Sequence, residues 1–183
     1  LFLEIEQKAE WLLQQGKPQE VANTAWAFAT LGVKSPKLFS EIEQKADWLV
    51  RQGNSQDVAN TAWAFATLGV KSPILFSKIE QKAVWLVREG KPQAVANTAW
   101  AFATLGVKSP KLFAEIQHKV EWLVQEGTPQ AVANTVWAFA TLGVKSPKLF
   151  AEMERKAEWL VRQGDPQGVA NTAWAFATLG VKS

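Results

Sequence analysis

The chain lacks cysteine and tyrosine, and among its 183 residues it carries one histidine and one methionine. Without cysteine it can form neither a disulfide framework nor a thiolate metal site. Its longest uncharged stretches, such as 21–33, are shorter than the roughly 18 apolar residues of a membrane span, so we expect a soluble chain with no membrane partner. A net charge of +3 is too small to identify a nucleic-acid partner unaided.

Residues suited to catalysis are equally scarce. His118 stands where other repeats have Gln44, Gln81 and Arg155, which predicts an exposed substitution. The sequence shows no histidine cluster, no repeated carboxylate pair and no glycine-rich phosphate loop. We therefore expect a protein that is not an enzyme and that has no metal, cofactor or small-molecule substrate.

What the chain does contain is a repeat of 37 residues, marked by a tryptophan at one fixed place. These tryptophans are Trp26, Trp63, Trp100, Trp137 and Trp174. A period of about 20–50 residues predicts a solenoid, in which each unit buries its apolar face against its neighbours. The single domain 1–183 divides into full units 17–53, 54–90, 91–127 and 128–164, flanked by partial units 1–16 and 165–183.

Glycine and proline predict two helices in each unit, named A and B, which makes the fold class an all-α solenoid of αα-hairpins. Gly16 and Gly32 follow helices, where glycine commonly adopts a left-handed conformation, and Ser35-Pro36 is a capped start for helix B. Helical periodicity predicts buried faces on both helices. The predicted buried residues of the first unit are Pro18, Val21, Ala22, Ala25, Phe28 and Ala29 in helix A, and Leu38, Phe39, Ile42, Ala46, Leu49 and Val50 in helix B.

Helix A is nearly identical in all units and carries no charge after Glu20, whereas helix B varies. Its polar side has Gln19, Asn23 and Thr30, with Thr24 and Ala27 alongside. Carboxamides both donate and accept hydrogen bonds, as the edge of an unpaired base requires, so we predict base contacts for one asparagine per unit. That row, the Asn row, is Asn23, Asn60, Asn97, Asn134 and Asn171. The alternative is a structural bond to a neighbouring repeat or a helix end.

Lysines recur in two rows. The turn lysines, between helix A and helix B, suit phosphate because the start of a helix also favours anions, although they could simply be solvated. They are Lys34, Lys71, Lys108, Lys145 and Lys182. The second row begins with Lys45, which we expect to pair with Glu41 four residues earlier.

The ten tryptophans could stack on bases or fill the core. We expect those of helix B, which start at Trp48, to pack between repeats, and Trp26 with its equivalents to be the exception. Residues that are identical in every unit cannot distinguish different bases, so any base selectivity requires positions that vary. The best candidates are pairs of variable residues at the start of helix A, although sequence drift in exposed caps could also explain their variation. The pairs are Lys17/Glu20, Asn54/Asp57, Lys91/Ala94, Thr128/Ala131 and Asp165/Gly168. If they point away from the groove, we expect a near-homopolymeric or nonselective target.

The motif Val-Ala-Asn-Thr-Ala-Trp-Ala-Phe-Ala-Thr-Leu-Gly, followed by Ser-Pro-Lys-Leu-Phe, resembles the octotricopeptide and heptatricopeptide repeats of Tbc2-type chloroplast translation factors along the whole chain. The resemblance implies a right-handed superhelix in the style of pentatricopeptide and tetratricopeptide arrays. It also implies binding of single-stranded RNA in a chloroplast or mitochondrion, in transcript processing, stability or translation. The alternative function is a protein-interaction scaffold with a peptide or helix in its groove.

Overall fold

The computed structural model describes residues 1–182, and Ser183, the last residue of the final partial unit, lies outside them. The described chain is entirely helical, with fifteen helices and no strand among residues 1–182. The helices are α1 Phe2–Gln7, α2 Ala9–Gln15, α3 Pro18–Thr30, α4 Pro36–Gln44, α5 Ala46–Gln52, α6 Ser55–Thr67, α7 Pro73–Gln81, α8 Ala83–Glu89, α9 Pro92–Thr104, α10 Pro110–His118, α11 Val120–Glu126, α12 Pro129–Thr141, α13 Pro147–Arg155, α14 Ala157–Gln163 and α15 Pro166–Thr178. The αα-hairpin solenoid is confirmed.

The predicted helix A is one continuous helix in every unit: α3, α6, α9, α12 and α15. Consecutive A helices pack directly on each other and form the most extensive helix–helix contacts of the described residues, and we call this set of helices the A layer. Alanines such as Ala64 and Ala101 lie in this layer with no exposed surface. Small side chains allow the helix backbones to approach closely, so the A layer is the more tightly packed side of the array.

The predicted helix B is divided into two segments in every unit, which the periodicity did not reveal. Between α4 and α5 the backbone of Lys45 has φ −98° and ψ 13°, outside the helical range. No proline or glycine accompanies the break. The second segment of each unit packs on the first segment of the next, as α5 does on α7.

The predicted buried faces are confirmed except at Pro18, which is half-buried; Val21, Phe28, Ile42 and Leu49 have 0–1% of their surface exposed. An interlocking pair of phenylalanines joins each helix B to the next helix A. Phe39 meets Phe65 edge to face with ring centroids 4.8 Å apart, and the other pairs repeat this geometry. The core is therefore a continuous seam between units.

Helix starts and ends explain the regular punctuation. Ser35 Oγ accepts a hydrogen bond from Leu38 N–H at 3.3 Å, which confirms the predicted cap of helix B. Gly69 ends α6 with a φ of 68°, and the N–H groups of Gly69 and Val70 donate to Ala66 O and Phe65 O in a Schellman motif.

The glycines that end helix B are different, and a left-handed conformation for them is wrong. Gly53 has φ −75° and ψ 155°, an extended conformation open to any residue. Glycine is needed there for space, since an added Cβ would lie 2.6 Å from Leu49 O and 3.3 Å from Pro18 Cβ of the preceding A helix.

Candidate nucleic-acid interface

The open face of the A layer carries the same four polar or aromatic side chains on each helix. They are spaced four, three and four residues apart, which places them along one side of a helix. On α9 these side chains are Gln93, Asn97, Trp100 and Thr104; the first three are half-buried and the threonine is exposed. We call each such set a rung. The other rungs are Gln19–Asn23–Trp26–Thr30, Gln56–Asn60–Trp63–Thr67, Gln130–Asn134–Trp137–Thr141 and Gln167–Asn171–Trp174–Thr178.

The tryptophans of the five rungs form a continuous strip. Neighbouring ring centroids lie 6.2, 6.4, 6.4 and 6.5 Å apart, with ring planes tilted by 30–34°. These distances are within the range of about 4.5–7 Å for interacting aromatic pairs.

The asparagines of the rungs are not held by neighbouring repeats. Gln56 Nε2 donates to Asn60 Oδ1 at 2.7 Å, and Gln93 Nε2 donates to Asn97 Oδ1 at 2.9 Å, both within one helix. Within residues 1–182 these are the only hydrogen bonds of side chains in the Asn row. Each such pair leaves the asparagine Nδ2 donors directed to no protein acceptor, so they can bond a ligand on the open face.

Thr24 and Ala27 belong to the packing surface and not to the open face, contrary to the wheel. Their equivalents Thr61 and Ala64 are fully buried between A helices. Thr61 Oγ1 donates to Asp57 O, one turn earlier, at 2.8 Å. A threonine that bonds its own helix backbone can be buried without an unpaired hydroxyl, and a polarity wheel does not detect this.

The turn lysines lie at the edge of the A layer and not on its face. They are exposed, and none takes part in an ion pair within residues 1–182. Three of them each line one cavity between the start of a helix B and the turn of the next unit. The cavity volume is about 260 Å³ at Lys71, 310 Å³ at Lys108 and 290 Å³ at Lys145.

The starts of helix B offer fewer groups for an anion than the sequence suggests. Pro36 has no N–H, and Leu38 N–H is bonded to Ser35 Oγ, which leaves Lys37 N–H in the first turn. Any phosphate contact at this edge therefore depends mainly on the lysine ammonium groups.

The variable pairs that open helix A lie in its caps. The first member of each pair is exposed. Asn54 Oδ1 accepts a hydrogen bond from Asp57 N–H at 2.9 Å, and Asp57 Oδ2 accepts one from Asn54 N–H at 3.0 Å. Thr128 and Asp165 also cap their helices, as predicted, while lysine at 17 and 91 has no side-chain acceptor to do so.

The second member of each pair does not reach the open face in four of the five units, which corrects the prediction that both members could select a base. The buried residues are Asp57, Ala94, Ala131 and Gly168. Ala94, for example, has 1% of its surface exposed in the first turn of α9, and its carbonyl oxygen accepts from Thr98 Oγ1 at 2.8 Å. A side chain without accessible surface cannot contact a base. Of the second members, only Glu20 is exposed, and its Oε2 accepts from Lys17 N–H at 2.8 Å.

The B helices, which we call the outer layer, hold their lysines in a different way from the one expected. Within residues 1–182, none of the ion pairs joins Lys45 to Glu41, so that prediction is wrong. Equivalent lysines lie over tryptophan rings instead, with Lys119 Nζ 5.5 Å from the Trp122 centroid and Lys156 Nζ 5.6 Å from that of Trp159. These tryptophans are half-buried and pack on the core.

Two features of units in contact had no clear sequence signal. Ser72 Oγ donates to Glu43 Oε1 at 2.7 Å, and Ser109 Oγ donates to Glu80 Oε1 at 2.9 Å, each reaching back to the preceding unit. The edge cavities likewise exist only once units are stacked. The serine–glutamate bonds join residues 29 positions apart, and each cavity is lined by residues of two units, so local periodicity reports neither feature.

Three further observations limit the chemistry. His118 is exposed, as predicted. Among residues 1–182 no three His, Cys, Asp or Glu side chains lie together as metal ligands would. No helix in the described part of the chain has the length and apolar character needed to cross a membrane.

The profile of the RNA-editing substrate-binding complex 6 family matches residues 1–183, the whole chain, and the chain belongs to that family. No curated protein sequence matches the chain. The family match and the helical repeat fold of the chain together support an RNA-associated helical repeat protein, without the specific assignment to octotricopeptide or Tbc2-type proteins.

Proposed function

We propose that this member of an RNA-editing complex family binds single-stranded RNA along the open face of its A layer. Each rung holds about one nucleotide, so the five rungs hold up to about five. The tryptophan strip stacks on bases, the Asn row meets base edges, and the turn lysines approach phosphates. The protein is a binding module and not an enzyme.

The observation that carries this proposal is the exposed, uncharged and continuous face of five rungs. A base needs an aromatic surface and a group that can donate or accept hydrogen bonds, and every rung supplies both. Carboxylates, which would repel phosphate, are absent from 21–33 and from the equivalent stretches. The family description, which names an RNA-editing substrate-binding complex, supports RNA as the ligand.

RNA-editing complexes of kinetoplastids are mitochondrial, and this supports a mitochondrial rather than a chloroplast location for the protein. Within that setting we propose a role in transcript processing or stability. Helical repeats that read one base each in other RNA-binding proteins support the register of about one base per unit.

The binding experiment uses short single-stranded RNAs over a salt series. We expect log K to fall as log salt rises, because lysine–phosphate contacts release counterions. Replacing Asn97 and Asn134 with Ala should weaken binding roughly 30-fold, from about 1 kcal/mol for each lost hydrogen bond. The fold should persist, since neither side chain bonds another unit.

Gln81→Ala with Gln125→Ala is the matched control, since it removes two carboxamides from exposed positions of α7 and α11 in the outer layer. Its affinity should equal that of the unmodified chain. Equal affinity of the asparagine variant and the unmodified chain would remove the Asn row from the mechanism.

A protein-interaction scaffold is the second candidate function. It is favoured by the apolar cavities at the edge of the A layer, whose linings include Phe113, Leu142 and Val144. RNA binding no stronger than nonspecific background, with capture of a peptide at these cavities, would select this function instead.

A further inference from the structure

We infer that the open face recognises RNA by base composition and not by base order, so that its ligand class is a homopolymeric or low-complexity single strand. This inference rests on the proposed function. It follows from a comparison of the rungs with every position that varies between units.

The five rungs are chemically identical. Glutamine, asparagine, tryptophan and threonine occur at the same four places on α3, α6, α9, α12 and α15. Between Val21 and Val33 and their equivalents, one position differs in any unit, Val136 in place of alanine. Val136 is fully buried, so this difference does not reach the open face.

Most of the positions that vary are buried, cap a helix or lie on helix B, while Lys17, Glu20 and Lys91 are exposed at the starts of helix A and outside the rungs. Four of the variable residues at the starts of helix A are buried, namely Asp57, Ala94, Ala131 and Gly168. Thr128 and Asp165 use their side chains as caps, and Thr128 Oγ1 also donates to Oε1 of the rung residue Gln93 at 3.4 Å. Other variable residues, such as Ser40 and Gln44, lie on the outer segments. Thus the variation lies outside the rungs that would contact the bases.

Identical rungs have an energetic consequence for a bound strand. When the strand moves by one nucleotide, each base leaves one rung and meets a chemically identical one. The free energy of binding therefore changes only through the bases that enter or leave the row of rungs. For a uniform strand all registers are equal, and a longer strand gains affinity from the number of registers it offers. Stacking on tryptophan is itself tolerant of sequence.

The test compares RNAs of one composition and different order. Strands of about five nucleotides, one base for each rung, contain two kinds of base in blocks, in alternation or shuffled, so that a fully bound strand always presents the same bases. We expect dissociation constants within about twofold of each other. A reader of order would lose about 1–3 kcal/mol for each misplaced base, by analogy with mismatches in DNA sites, and that is roughly 5- to 150-fold.

A variant tests the caps directly. Thr128→Asp with Ala131→Gly gives the fourth unit the pair that the fifth already carries at Asp165 and Gly168, so the helix start is tolerated. We expect the ranking of the RNAs to stay unchanged, with any loss of affinity shared by all of them. A changed ranking would assign base reading to the caps and would overturn the inference.

The two proposals fail in different ways. If no RNA binds above background, the proposed function is refuted, and this inference with it. If RNA binds but the order of bases changes affinity more than about tenfold, equivalent to about 1.4 kcal/mol, the proposed function stands and this inference is refuted.

Discussion

Two serines of this chain allow the strength of the contact between units to be measured by matched substitutions. Ser109 accepts from Leu112 N–H at 3.3 Å and donates to Glu80 Oε1 at 2.9 Å, so it caps its own helix and bonds the preceding unit. Ser146 accepts from Leu149 N–H at 3.4 Å, but Gln117 replaces the glutamate and donates to Lys145 O instead. Both serines are buried.

Ser146→Ala should therefore cost the cap alone, typically about 1 kcal/mol of unfolding free energy. Ser109→Ala should cost the cap and a hydrogen bond to a carboxylate. Such a bond contributes about 1.5–3 kcal/mol, and we take the lower value because the half-buried Glu80 regains water. The expected total for Ser109→Ala is about 2.5 kcal/mol, so the two variants should differ by about 1.5 kcal/mol.

Urea unfolding followed by circular dichroism measures the two losses, and a double-mutant cycle of Ser109→Ala with Glu80→Ala isolates the bond between units. Hydrogen exchange at the amides of Leu112 and Leu149 reports the caps locally. Equal losses for the two serine variants, or a coupling near zero in the cycle, would refute the argument that the serine–glutamate bond joins neighbouring units.

Three further predictions concern charge and backbone. Changing three turn lysines to Gln should reduce the slope of log K against log salt by about 2, because each phosphate contact on a single strand contributes about 0.7. The same change in three lysines of the second row should leave the slope nearly unaltered. Equal slopes for the two variants would exclude phosphate contacts by the turn lysines. The turn set is Lys71, Lys108 and Lys145, and the outer set is Lys45, Lys82 and Lys119. Gly69→Ala should cost about 1–2 kcal/mol of unfolding free energy for its left-handed φ alone, and Gly53→Ala should cost more because its Cβ meets Leu49 O; the reverse order in thermal unfolding would contradict this. The hydrogen bond from Lys78, aided by Arg51, holds the pKa of Asp47 below its usual 3.8. The stability that comes from this lowered pKa is present at pH above the unfolded-state pKa of Asp47 and is lost as pH falls through the folded-state pKa. Lys78→Met should raise the pKa of Asp47 in an NMR titration. An unchanged pKa would show that the pair does not form.

Local signals in the sequence predicted the fold well. The Ser35-Pro36 cap and the burial of Phe28 and Ile42 each depend on neighbours within one or two helical turns, and both agree with the structure. The exposure of the Asn row on one face follows from the same periodicity, since asparagine and tryptophan three residues apart share a helix side.

The features that the sequence did not predict depend on stacking or on backbone detail. Thr61 is buried because a second A helix covers it, and its polarity gives no sign of that. The break at Lys45 has no proline or glycine to mark it. Gly53 needs its small size because of Leu49 O in its own helix and Pro18 in the A helix of the same unit, and the contact with Pro18 joins two ends of the unit that lie far apart in the sequence.

The A helices are uniform both at their buried positions and on their open face, and these two kinds of uniformity have different explanations. Packing explains the identical buried residues, such as Phe65 and Ala101, because each must fit the same seam. It does not explain Asn60 or Thr67, which lie on the open face with no bond to another unit, in a chain where exposed positions of the outer layer, such as Ser40, differ between repeats. Recent duplication would leave both layers equally uniform. A requirement placed on the open face itself accounts for the difference, and a repetitive ligand that contacts every rung in the same way would impose that requirement.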